Sequence, residues 1–71
     1  MAEPVTAPIV GKVFKIQCKV GDKVKEEQIV ILLEAMKMEI PVLAPVAGTI
    51  KEIKVAEGDT VESDTVLAII E

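Results

Sequence analysis

A chain of 71 residues holds one domain, and at this size only about 60% of the unfolded surface becomes buried, so its core has to be efficient. With one cysteine, Cys18, and no histidine, the chain has neither a disulfide framework nor a multi-ligand Cys/His zinc site, and the lone cysteine fits a reducing, cytoplasmic setting. Twelve acidic residues against eight basic give a net charge of −4, with Phe14 as the sole aromatic and no basic cluster, which argues against a nucleic-acid partner.

About half of the residues are apolar and rich in Val and Ile, a composition that favours β structure. The opening MAEPVTAP lacks the basic and apolar regions of a secretory leader, and Met1-Ala2 marks either a true start or a cut from something longer. The longest apolar run, Ile29 to Leu33, is far too short to span a bilayer, so no membrane insertion is expected.

Taken in chain order, the sequence is written twice. Residues 1–34 lie on 38–71 without a gap when the chain is slid by 37 positions. Pro4 meets Pro41, Val5 meets Val42, Ala7-Pro8 meets Ala44-Pro45, Gly11 meets Gly48, and Ile16 meets Ile53. Gly21-Asp22 then meets Gly58-Asp59, Val24 meets Val61, and Glu34 meets Glu71. Leaving out the start methionine, these are ten identities in 34 pairs, where average composition gives roughly two or three. All four prolines and all four glycines are paired, and each is expected to need a special backbone geometry, so the two copies follow a matched path. Two copies are too few for a solenoid, and the natural outcome is one core shared by two halves about an approximate two-fold axis, neither half folding alone.

Each copy contains short β-rich pieces separated by Ala-Pro, a Gly, Gly-Asp, and an acidic tetrad. In the second piece Val13, Ile16 and Cys18 match Ile50, Ile53 and Val55; alternation slips by one between 13 and 16, the mark of a β-bulge. Phe14 matches Lys51 and is expected outside, whereas Cys18 matches Val55 and is expected in the core. Residues 25–38 are full of helix formers, but their apolar residues run consecutively from 29 to 33. The matching Thr65 to Ile70 is β-branched, so Gln28 to Ala35 is predicted to be a strand. Only Ala35, Met36 and Lys37 lie outside the repeat, and Met36-Lys37 falls at a hairpin tip between strands ending near Ala35 and beginning at Met38. Two-residue hairpins favour type I′ turns with positive φ at both positions, usually Asn-Gly. Met-Lys there is strained by on the order of 1 to 3 kcal/mol per residue, strain of the kind that persists where a site requires it.

The motif Ala35-Met36-Lys37-Met38, set in a chain duplicated over its whole length, resembles the biotinyl domain, or biotin carboxyl carrier protein, of biotin-dependent carboxylases, decarboxylases and transcarboxylases. The resemblance implies one biotinyl domain over residues 1–71. Its expected fold is an all-β flattened barrel-sandwich of two four-stranded antiparallel sheets, with pseudo-two-fold symmetry and the modified lysine on an exposed hairpin. It further implies that a biotin protein ligase activates biotin as an adenylate, that the Lys37 amine attacks it to form an amide, and that the biotin arm carries a carboxyl group from a biotin carboxylase to a carboxyltransferase. The domain itself then supplies position and effective concentration, with no catalytic group. The alternative is a lipoyl carrier of an oxo-acid dehydrogenase complex. Lipoyl domains share the fold but usually place Asp before and Ala after the lysine, and Met on both sides here favours biotin.

Around Lys37 the candidate recognition residues are Met36 and Met38, whose adaptable side chains suit docking in several enzymes in turn, and Ala35. Glu34 has two readings: its repeat mate Glu71 favours a structural or solvated role, and its place three residues before Lys37 favours ligase recognition. The chain departs from the family where a turn glycine is common, carrying Glu27 and Asp64 instead, so either those turns differ or Glu27 is strained. The gap-free match between halves leaves no room for the inserted thumb of some members.

Overall fold

The computed structural model describes residues 2–71; Met1, which the repeat sets on Met38, lies outside the described residues. Eight strands follow the turn signals: β1 (Glu3–Thr6), β2 (Gly11–Ile16), β3 (Lys23–Val24), β4 (Ile29–Ala35), β5 (Met38–Leu43), β6 (Gly48–Ile53), β7 (Thr60–Val61) and β8 (Val66–Ile70). The helix-rich composition of residues 25–38 is overridden: β4 is a strand whose Val30, Ile31 and Leu33 are fully buried. No helix among the described residues is long and apolar enough to cross a membrane.

The strands form two four-stranded antiparallel sheets, in the orders β1-β8-β6-β3 and β5-β4-β2-β7. A shift of 37 residues turns β1, β2, β3 and β4 into β5, β6, β7 and β8, and it carries one sheet order onto the other. Each sheet therefore takes two strands from each repeat, and the halves are interleaved.

Core positions come in repeat pairs. Val5 and Val42, Val13 and Ile50, Val24 and Val61, Val30 and Leu67, Ile31 and Ala68, and Leu33 and Ile70 are all buried. The register slips between Val13 and Lys15 and again between Ile50 and Glu52, as the broken alternation predicts. Phe14, at the first slip, is half exposed. Cys18 is buried in the core cluster, and burial first, then the Asp22 carboxylate, pushes its thiol pKa up.

The Gly-Asp turns repeat the same hydrogen bond. The Asp22 carboxylate accepts the Lys19 N–H at 3.0 Å, and Asp59 accepts that of Ala56 at 2.9 Å. The paired glycines divide by cause. Gly21 and Gly58 sit at φ 96° and 97°, conformations that L side chains rarely adopt. Gly11 and Gly48 are there for lack of room: a Cβ on Gly11 would lie 2.8 Å from the Glu34 carbonyl oxygen, and one on Gly48 2.6 Å from Ile70. The expectation of special dihedrals thus holds for two of the four, and close backbone approach explains the others. Glu27 and Asp64 occupy the left-handed region at φ 71° and 70°, so the turns keep the geometry that suits glycine, and Glu27 carries its strain.

Candidate functional site

The site is built on the β4–β5 hairpin. The two strands pair from Ile29 opposite Leu43 to Ala35 opposite Met38, leaving Met36 and Lys37 as a two-residue loop. Their φ angles are 52° and 64°, positive at both positions as in a type I′ turn, whose twist matches that of the flanking strands. Neither side chain prefers that region, and the turn is held by the ladder below it and by the buried side of β4.

Of the six residues Glu34 to Glu39, only Ala35 points inward. It is 9% exposed and lies where β2 crosses closest, so that a Cβ on Gly11 would come within 3.4 Å of its own. Ala35 and Gly11 together let the hairpin close against β2, which makes Ala35 a packing residue. Met36 is 88% exposed and Met38 63%, values that no packing role explains. Lys37 is exposed between them and makes no ion pair among the described residues.

The two readings of Glu34 can be weighed against its repeat mate. Glu71 is held by Lys51 at 2.8 Å. The residue matching Lys51 in the first repeat is Phe14, and Glu34 makes no ion pair among the described residues. Glu34 instead stands directly opposite Glu39 on β5, with Lys12 opposite it on β2. Glu34 thus faces a like charge on one flank and an opposite charge on the other, and the 2.8 Å ion pair of Glu71 has no counterpart at Glu34.

Two features here carry no sequence motif. Glu39 joins Glu34 at the base of the tip. The start of β2 also lies against the base of the tip: β2 pairs Lys12 with Glu34, and a Cβ on Gly11 would lie 2.8 Å from the Glu34 carbonyl oxygen and 3.4 Å from the Ala35 Cβ. Only the small-residue signal at Gly11 hints at this approach. No group of three or more His, Cys, Asp or Glu among the described residues could hold a metal ion. An open depression of about 210 Å³ lined by Ile16, Gln17, Cys18, Lys19 and Asp22 contains no hairpin residue. The tip is thus an exposed amine on a projecting turn, suited to covalent attachment of a group that works elsewhere.

Comparisons with known proteins give the chain its relatives. The chain is 59% identical over 34 residues to the 2-oxoglutarate carboxylase large subunit of Hydrogenobacter thermophilus, covering 48% of this chain and 5% of that one. It is 48% identical over 40 residues to Biotinylated protein TB7.3 of Mycobacterium tuberculosis, 56% of each chain. The chain thus spans a small fraction of the first relative and about half of the second. Among solved structures, urea carboxylase of Kluyveromyces lactis superposes with a TM-score of 0.94 at 35% identity, over 100% of this chain and 6% of that one. The family model described as "Biotin-requiring enzyme" (Biotin_lipoyl) matches residues 3–70, and the chain belongs to that family.

Proposed function

We propose that this domain is a non-catalytic carrier whose Lys37 is joined to biotin through an amide and moved between the active sites of a biotin-dependent carboxylase, decarboxylase or transcarboxylase. The observation that carries the reading is the exposed, unpaired Lys37 at a strained tip between two exposed methionines. The residues fit the group. An amide needs only an accessible amine, and a type I′ tip presents one clear of the sheets.

Lys37 first loses its ammonium proton in the site of a biotin protein ligase. Its Nζ then attacks the carbonyl of biotinyl-adenylate, the C–N bond forms, AMP leaves with the electron pair of the broken C–O bond, and the nitrogen gives up a second proton to leave the neutral amide. The amide cancels the lysine charge and leaves a long flexible arm. When bound, biotin supplies a ureido nitrogen able to hold a carboxyl group between a biotin carboxylase and a carboxyltransferase. Met36 and Met38 present adaptable apolar contacts to each enzyme in turn, and Glu34 is free to meet the ligase. Ala35 keeps the tip closed on β2. A cytoplasmic setting fits the free, buried Cys18 and the need for ATP.

Intact-mass measurement after incubation with biotin, ATP and a biotin protein ligase tests the reading. One biotinyl group is expected on the wild type and none on Lys37→Arg, which keeps the charge and the turn. Modification that survives Lys37→Arg, or uptake of lipoate in place of biotin with a lipoate ligase, overturns it.

A further inference from the structure

Phe14, the sole aromatic residue of the chain, stands half exposed on the sheet that carries the lysine hairpin. Lys12, Glu34 and Glu39 form one row across β2, β4 and β5, and all three are exposed. The next row, Val13, Leu33 and Ile40, turns inward, and the one after it, Lys15, Leu32 and Pro41, faces out again. Phe14 is the extra residue of the β2 bulge, so it and Lys15 both oppose Leu32. The other repeat shows which way position 14 leads. Its mate Lys51 sits in the matching bulge and reaches Glu71, the mate of Glu34, at 2.8 Å. Phe14 therefore lies on the outer face with Glu34, where the second copy has an ion pair in place of a ring. An exposed ring beside two carboxylates that make no ion pair among the described residues contributes nothing to the fold.

On the reading of Lys37 as the biotinylated lysine, we propose that this outer face holds the biotin head at rest. The Phe14 ring and the Leu32–Pro41 row take up its thioether ring, Glu34 and Glu39 accept hydrogen bonds from its ureido N–H groups, and Lys12 or Lys15 donates to its ureido oxygen. Reach, tether and chemistry select this occupant. Pro41 follows Lys37 by four residues, about 13 Å along the strand. The lysine stem and the valeryl chain of biotin, joined through the amide, make a run of about eleven bonds that extends to about 14 Å. The head is thus delivered to the face at high effective concentration, whatever the concentration of the protein. A thioether against a phenyl ring is a favourable contact, and carboxylates are strong acceptors for N–H donors. Each active site that uses the arm then has to draw the head off this face, so Phe14 sets how freely the arm swings.

The test compares nitrogen–proton correlation spectra of the full chain with and without biotin on Lys37. Biotinylation is expected to shift the amides of Phe14, Lys15, Leu32 and Glu34 as well as those next to Lys37, and to give nuclear Overhauser contacts between the Phe14 ring and the biotin head. The Phe14→Lys variant installs the residue of the second copy and so suits the bulge. It is expected to lose the distant shifts and to be captured by streptavidin about threefold faster, as when a held fraction of about two-thirds is released. Phe14→Leu keeps an apolar contact and is expected to fall between them. Val20→Glu also installs a residue of the second copy, at the turn beyond the far end of β2, and is expected to leave the capture rate unchanged. Shifts confined to the neighbours of Lys37, or equal capture rates for wild type and Phe14→Lys, overturn the proposal. Phe14 shifts that depend on the concentration of the unmodified chain assign the face to a second copy and also overturn it. If the wild type takes up no biotin, the reading of Lys37 falls and this inference falls with it; if it is biotinylated and its head makes no contact with Phe14, only this inference falls.

Discussion

Met36 and Lys37 sit where Asn-Gly would sit without strain, and the cost of that choice is measurable. The Met36→Asn variant suits φ 52° far better and is expected to stabilise the domain by about 1 kcal/mol, read as a higher urea midpoint at unchanged slope. The same change removes an 88% exposed apolar contact, so biotinylation by the ligase is expected to slow. Glu27→Gly separates the two effects. It relieves strain at φ 71° in a turn far along β4 from the tip, and it is expected to raise stability without touching the biotinylation rate. A Met36→Asn protein that is both more stable and equally fast would show that the methionine is not there for recognition. The strain was legible in the sequence because the repeat located the joint. The fate of Glu34 was not, because its difference from Glu71 depends on which side chain crosses from the neighbouring strand, Lys51 in one sheet and Phe14 in the other.

At the scale of the strands, most of what the sequence revealed came from comparing one copy with the other. β4 alone is ambiguous, its composition favouring a helix while its apolar residues run consecutively, and the β-branched β8 decides for a strand. The approach of Gly11 to Ala35 has no motif, and it follows from a long-range register that no local pattern specifies. One ladder also makes a pH prediction. β6 and β8 are linked by Lys51 and Glu71, where a hydrogen bond and the opposite charge lower the Glu71 pKa from its ordinary 4.5 and raise that of Lys51 from 10.5. A carboxyl group lowered on folding contributes stability that is present above pH 4.5 and is lost as pH falls through its folded value. An ammonium group raised on folding contributes below pH 10.5 and loses that contribution as pH rises through its folded value. Both groups are exposed, so the effect is small and screened by salt. Lys51→Ala is expected to lower the urea midpoint slightly near neutral pH and to match wild type once Glu71 is protonated. An equal difference at both pH values would assign the loss to packing of the lysine stem instead.

The whole molecule is 32 × 17 × 17 Å, and its topology makes a demand that no single strand does. Within the first repeat only β2 and β4 pair with one another, and within the second only β6 and β8. The ladders β1–β8, β2–β7, β3–β6 and β4–β5 all join one repeat to the other. A separated half therefore keeps one two-stranded ladder, which is marginal in water, and exposes the apolar side chains that its mate would have covered. Cleavage between Met36 and Lys37 severs one peptide bond in an exposed turn and leaves all the strands intact. The peptides 1–36 and 37–71 are accordingly expected to be unfolded alone by far-UV circular dichroism. Mixed at equal concentration, they are expected to recover the β signal with a midpoint that depends on concentration, because association now carries the cost that the covalent joint had removed. A half that folds alone would mean that its sheet had re-formed from its own strands, and the shared core would not be what unites the repeats. If the halves do require one another, the joint has two roles at one place: it closes the shared core, and it leaves Lys37 at the tip.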